Sequence, residues 1–418
     1  MRIVSDRSLR ARLAALPGPT PRVVASGNYA TPRHLLGLVD EALPAYRLFL
    51  LNAQPGVPSR DGVTHETPFV GPGVRDLSRL EYLPMRLSLV PRLFRRERPP
   101  DVVALHVSRP RGDQVSLGVE VNVLPAAIEA ARARGALVMA QVNPTMPYTF
   151  GAGELARDAI DLAVEAEEPL ASPPERPPSE VAEAIAERID QLVTDGSTLQ
   201  VGIGGIPDAV LARLHGRRGL GVWSEMVSDG LLELERQGAL DPARPLVASF
   251  LFGSPALYEW ADGNPRLSLR RTEEVNDPGR IARNPAMTSL NTALEVDLHD
   301  QANASYRDGR IYSGFGGQPD FVVGALHAPD GRAIVALPSW HTKRDRSTIV
   351  EPLAVPATSF QHSHVVTEQG VADLFGRSQP EQAALLVERT AHPSARESLM
   401  GVLDRLAGER GVGGTRRR

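Results

Sequence analysis

The chain has 418 residues, 42% hydrophobic and 23% charged, with a formal net charge of −4. That length supports two or three domains with their own cores, and the small net charge favours neither nucleic acid nor an anionic membrane as partner. There are 0 cysteines, which excludes disulfides, Cys-ligated zinc, iron–sulfur centres and thiol nucleophiles.

From the start, MRIVSDRSLRARLAALPG breaks its apolar residues with Arg and Asp and lacks the apolar region of a secretory leader. No later run approaches the roughly 20 apolar residues of a membrane span, so a cytoplasmic protein is expected. Short β-branched runs then alternate with helical stretches. Asp101–Ser108 and Ala136–Val142 read as buried parallel strands, with Pro125–Gly135 as the helix between them. This βαβ unit implies a right-handed crossover and an α/β fold. The alternation stops at a run containing Pro169, Pro173, Pro174, Pro177 and Pro178, a semi-rigid connection that places a domain boundary between residues 1–172 and 173–418. The second half opens with a helix over Glu180–Val193. The strand Thr198–Gly204 then runs into a glycine loop, and Leu220–Met226 is the next strand. Further strands are expected in Pro245–Gly253, Ala333–Ser339 and His362–Glu368. SEMVSDGLLEL and TEQGVADLF share a weak echo, each placing a Glu at a strand end before a helix. The C-terminal GERGVGGTRRR reads as a disordered basic tail.

The chemistry concentrates in GIGGIPDAV (Gly202–Val210) and VWSEMVSDG (Val222–Gly230). Bare glycines let a ligand approach the backbone, and the helix N-terminus that follows favours negative charge. A tight turn binding nothing is the alternative. A dinucleotide fold fits less well, because its third glycine falls at Pro207. Glu225 ends the next strand, so strand and glycine loop would aim at one crevice, where a partly desolvated carboxylate serves as general base or nucleophile. A solvated strand-end carboxylate is the competing reading. Asn276 and Asn291 could orient such a group, and Gly316 and Gly317 offer further bare N–H groups to an oxyanion. Glu295, Asp297 and Asp300 read as a solvated face rather than a metal site. His362 and His364 lack a third ligand nearby. Lys343, Arg344 and Arg346 form either a solvated loop or a grip on phosphates.

The chain resembles the acetyl-CoA hydrolase/transferase family of class I CoA-transferases. The resemblance lies in SGNYATP (Ser26–Pro32), FVGPGVR (Phe69–Arg75), the run from VSLGVEVN to QVNPTMP (Val115–Pro147), GIGGIPDAV and SEMVSDG. It continues through SLNTALEVDL (Ser289–Leu298), SGFGGQPDF (Ser313–Phe321), VVTEQGVADLFG (Val365–Gly376) and AHPSARESL (Ala391–Leu399). It implies two open α/β domains with the active site at their interface, and Glu225 as the catalytic glutamate. Gly202, Ile203, Gly204, Gly205 and Ile206 match the CoA-binding loop, with the Ile203 and Gly317 N–H groups as oxyanion donors. Asn276 and Glu368 match polar residues lining the site, Asn291 and Gly314 match CoA contacts, and Ser26 lies near the carboxylate substrate. The implied activity is transfer of CoA between an acyl-CoA and a short-chain carboxylate through a glutamyl-CoA thioester. An acyl-CoA hydrolase using the same glutamate, or a noncatalytic CoA-binding protein, are the alternatives. Acyl-CoA and a small carboxylic acid are the expected partners, with no metal, no tightly bound cofactor, and self-association into a homo-oligomer. The sequence departs from the family at SWHTKRDRSTIVEPL (Ser339–Leu353) and at Ser359-Phe360-Gln361, so phosphate contacts by Lys343 and Arg346, and the acyl preference, are left open.

Overall fold

The computed structural model describes residues 1–174, 177–354, 362–374, 377 and 379–412. The βαβ unit expected from sequence forms as Val102–Val107, Leu124–Ala133 and Leu137–Val142, its strands paired in parallel from Val102↔Leu137 to Val107↔Val142. Every residue of both strands is buried, His106 and Gln141 included, as largely apolar runs require when helices cover both faces. These strands sit inside an 8-stranded sheet. Its order is Arg2–Ile3, Leu162–Glu165, Leu137–Val142, Val102–Val107, Arg22–Ala25, Tyr46–Phe49, Val63–Thr67, Leu80–Tyr82. All its pairings are parallel.

A second, 9-stranded sheet carries the later motifs. Its order is Gly370–Asp373, His364–Thr367, Arg332–Ala336, Met287–Thr292, Thr198–Val201, Gly221–Trp223, Leu246–Ala248, Leu267–Leu269, Phe150–Gly151. Only the hairpin between His364–Thr367 and Gly370–Asp373 is antiparallel. The short strand Phe150–Gly151 crosses from the first half of the chain to complete this sheet beside Leu267–Leu269. The helix Glu180–Asp190 begins where Ser179 Oγ accepts the Ala182 N–H at 3.2 Å. It buries Ala182, Ile185, Ala186 and Ile189, the i, i+3, i+4, i+7 stripe of an amphipathic helix.

Three expectations change. The Glu of TEQGVADLF is followed by the strand Gly370–Asp373 rather than a helix, so the echo with SEMVSDG ends at the strand. The tail is helical through Val412, the end of the helix Pro393–Val412, and residues 413–418 lie outside the described residues, as do Ser359, Phe360 and Gln361. Asp297 and Asp300 are buried instead of solvated. Asp297 accepts the N–H groups of His299, Gln301 and Leu353 at 2.8, 2.9 and 2.9 Å, and Asp300 pairs with His362 Nδ1 at 2.6 Å. Their carboxylates tie loops together. Among the described residues no group of His, Asp and Glu could hold a metal ion, and no helix is long and apolar enough to cross a membrane.

Candidate active site

Ligands bind parallel α/β sheets beyond the carboxyl ends of their strands. Here both sheets bring those ends to one cavity of about 190 Å³. The first sheet contributes Asn28 after Arg22–Ala25, Asn52 after Tyr46–Phe49, and Phe69 after Val63–Thr67. From the second come Gly202 and Ile203 after Thr198–Val201, Glu225 after Gly221–Trp223, Phe250 after Leu246–Ala248, and Asn291 near the end of Met287–Thr292. The loop Ser313–Gln318 completes the wall.

Glu225 occupies a break in its strand: the chain leaves the large sheet at Trp223 and resumes as Met226–Val227, paired with Phe250–Leu251. Its carbonyl accepts the N–H groups of Ser249 and Phe250 at 2.9 and 3.1 Å, which pins the backbone while the side chain enters the cavity. Asn276, fully buried behind it, donates from Nδ2 to Glu225 Oε2 at 2.9 Å. Asn276 also interacts with Asp320, which is buried in the first turn of the helix Gln318–His327 and accepts from Ser88 Oγ at 3.0 Å. Burial pushes Glu225 up to about 7; the nearby Asp320 charge adds to this and the Asn276 hydrogen bond opposes it. Burial likewise lifts Asp320 to about 6. A carboxyl in this state is half ionised near neutral pH and more basic than a solvated one, which suits a nucleophile.

Two backbone turns flank it. Gly202 spends its own N–H on the Leu290 carbonyl at 3.3 Å, whereas the Ile203 N–H makes no hydrogen bond among the described residues. Gly204 follows at φ +124°, a conformation that L side chains rarely adopt, and the helix Gly205–Arg213 starts there. Gly204, Gly205 and Ile206 lead out of the cavity wall into that helix N-terminus, with Pro207 in its first turn. On the other side Gly317 caps the helix Gln318–His327, and its N–H is also without an acceptor among the described residues. A Cβ on Gly317 would lie 1.9 Å from Glu225 Oε2, so its backbone is pressed against the carboxylate.

The remaining expected residues divide. Asn291 lines the cavity, its amide held by Gln200 and by Ser289 Oγ at 2.9 Å. Gly314 lines it too, at φ +151° with Pro68 O only 2.5 Å from where a Cβ would stand. Glu368 is not among the lining residues. It ends a strand further along the sheet and accepts from the Ser339 N–H at 2.8 Å and from the Ser339 hydroxyl. Ser26 is buried beside the wall, its hydroxyl accepting the His106 N–H at 3.1 Å. In the basic loop, Arg344 is paired with Asp308 and Arg346 with Glu295, while Lys343 is exposed. Residues that the sequence reading left out are Asn28, Asn52, Asn122, Glu120, Gln200 and Asp320. Asn28 lies in SGNYATP, Glu120 and Asn122 in VSLGVEVN and Asp320 in GGQPDF, whereas Asn52 and Gln200 stand in no such motif; the convergence of all six is tertiary.

Comparison with known proteins identifies the chain's relatives. The family model for the acetyl-CoA hydrolase/transferase C-terminal domain matches residues 253–402. The chain is 36% identical to a succinyl-CoA:acetate/propanoyl-CoA:succinate CoA transferase of Fasciola hepatica, over 92% of this chain and 85% of the relative. It is 38% identical to a 4-hydroxybutyrate coenzyme A transferase of Clostridium kluyveri, over 80% and 81%. Among solved structures, RipA from Yersinia pestis superposes with a TM-score of 0.89 at 27% identity, covering 97% of this chain and 98% of RipA. The 4-hydroxybutyrate CoA-transferase of Porphyromonas gingivalis superposes with a TM-score of 0.79 at 31% identity, again covering 97% of both. Facing parallel sheets with a buried glutamate between two glycine turns, together with these relatives, define an enzyme of the CoA-transferase class. The chain belongs to the acetyl-CoA hydrolase/transferase family.

Proposed function

We propose that this enzyme moves coenzyme A from an acyl-CoA to a short-chain carboxylate of the acetate type, with Glu225 as the nucleophile. The observation that carries the reading is the Glu225 carboxylate, oriented by Asn276 at 2.9 Å and set in a small cavity against Gly317. A Glu225 oxygen attacks the thioester carbonyl carbon; the C–S bond breaks, leaving a glutamyl–acyl anhydride and CoA thiolate. The thiolate then attacks the glutamyl carbonyl, the anhydride C–O bond breaks, and the first carboxylate departs from a glutamyl-CoA thioester. The acceptor carboxylate runs these steps in reverse. No net proton is consumed.

Each tetrahedral intermediate carries an oxyanion, and the N–H groups of Ile203 and Gly317 are the donors assigned to it; one such donor contributes about 3–4 kcal/mol in another enzyme. Carboxylates are weak nucleophiles in water, so binding energy from the rest of CoA, through Asn291, Gly314 and the Gly202–Ile206 loop, holds the thioester at Glu225. The reading further includes CoA as a transient substrate rather than a resident cofactor, a cytoplasmic location and self-association into a homo-oligomer.

Incubation with acyl-CoA alone should add the mass of CoA, less water, to the intact protein, mapped to Glu225. Glu225→Ala and Glu225→Gln should lose both adduct and turnover, and an active Glu225→Ala variant overturns the assignment. A no-acceptor control separates transfer from hydrolysis: a hydrolase consumes acyl-CoA in that tube, a transferase stops at one equivalent.

A further inference from the structure

One buried carboxyl beside the site has no part in this scheme. Glu120 is 1% exposed and lies on the segment 117–123, whose backbone is joined to the strand break at Glu225. Leu251 N–H donates to the Val119 carbonyl at 2.8 Å, and the N–H groups of Val121 and Asn122 both reach the Ser249 carbonyl, at 3.0 and 3.1 Å. Ser249 in turn donates its N–H to the Glu225 carbonyl at 2.9 Å. The first half of the chain therefore docks against the residue that holds Glu225.

The side chain of Glu120 continues the connection. Its Oε2 accepts from Asn28 Nδ2 at 2.6 Å, while its Oε1 is buried with no hydrogen-bond partner among the described residues. Asn28 Oδ1 accepts from Asn52 Nδ2 at 2.8 Å. Asn28 and Asn52 both line the cavity that contains Glu225, as does Asn122. All three have left-handed backbones, φ +44°, +47° and +40°. Such conformations are uncommon outside glycine, and strained backbone persists where surrounding structure holds it, often at functional sites.

We propose that Glu120 is a positioning residue for the acceptor half of the reaction: it locks the Asn28–Asn52 amide pair that faces Glu225's cavity, and that pair orients the incoming carboxylate. The proposal rests on the CoA-transfer reading. Burial, with the Glu225 charge adding to it, pushes Glu120 up to about 7. In its neutral form it holds Asn28 without placing a second negative charge where the acceptor must enter.

The test separates the two half-reactions in the full-length enzyme, using acetyl-CoA as donor and propionate as acceptor. Glu120→Ala should still reach the Glu225–CoA adduct from acetyl-CoA alone, though more slowly because the departing acid leaves through the same amide pair, and should show an acceptor KM raised roughly tenfold, the size of losing one oriented hydrogen bond to a charged group. Glu120→Gln, which mimics the protonated acid in shape and neutrality, should restore that KM. An acceptor KM for Glu120→Ala within about twofold of wild type overturns the proposal, as does a Gln variant as impaired as the Ala variant. Should Glu120→Ala fail to fold, Asn52→Ala breaks the same pair from its other end: a raised acceptor KM with intact adduct supports the role, and an unchanged KM overturns it. Absence of the adduct in the wild type would instead defeat the reading of the reaction.

Discussion

Gly317 has an ordinary φ of −89°, so its backbone does not demand glycine; the space does. A methyl group there would fall 1.9 Å from Glu225 Oε2 and 2.3 Å from Asn276 Nδ2. Asn276 is fully buried, so relief would come by pushing the Glu225 carboxylate into the cavity and away from its Asn276 hydrogen bond. On the proposed mechanism Gly317→Ala should therefore slow formation of the Glu225–CoA adduct by about 100-fold or more, the loss expected when an oxyanion donor and its nucleophile are displaced together. Rapid-quench mass analysis of the first half-reaction measures it. The neighbouring Gly316 is a different case: its φ of +54° makes it a conformational requirement of the loop.

Elements set the charge state of Glu225. The helix Gln318–His327 begins at Gly317 and presents Asp320 from its first turn, close enough for its charge to raise Glu225. Ser88 anchors that carboxylate from the first half of the chain, with Oγ at 3.0 Å. On the proposed mechanism only ionised Glu225 attacks, so kcat/KM for acyl-CoA should fall as pH drops below about 7 in the wild type. Asp320→Asn removes the repelling charge, so this acid limb should move to lower pH, read from kcat/KM profiles. An unmoved limb would mean that burial alone sets Glu225.

Across the molecule, packing two sheets end to end buries three carboxyls around one cavity. Glu120 and Glu225 rise from 4.5 to about 7, and Asp320 from 3.8 to about 6, with burial the leading cause in each. Unfolded, these groups release protons near pH 4; folded, they release them between 6 and 7. In the interval the folded state binds more protons, so their contribution favours folding at low pH and is lost as pH rises through the folded values. Stability should thus decline between about pH 4 and pH 7 on account of these groups and level off above. Glu120→Gln, which cannot ionise, should gain about 3 kcal/mol over wild type at pH 8 and little at pH 5, as measured by denaturant unfolding. A gain of equal size at both pH values would assign it to packing instead.

Local chemistry made much of this legible in one dimension. Largely apolar runs such as Val102–Val107 identify strands covered on both faces, and the 182, 185, 186, 189 stripe identifies the helix that follows the proline-rich run. Gly202–Gly205 and Glu225 stand at strand ends, where parallel sheets bind ligands, so their neighbourhood follows from short-range periodicity. Burial and partnership do not. Asp297 and Asp300 read as solvated because alternating acids have that pattern, and only the closing of loops over them supplies the N–H donors and the histidine that make burial tolerable. Glu368 resembles Glu225 as a residue after a strand, yet the strand order sets it apart and Ser339 occupies its oxygens. The amide wall of Asn28, Asn52 and Asn122, with Glu120 and Asp320 behind it, joins positions far apart along the chain. Desolvation depends on what surrounds a group in space, and no spacing along the sequence encodes it.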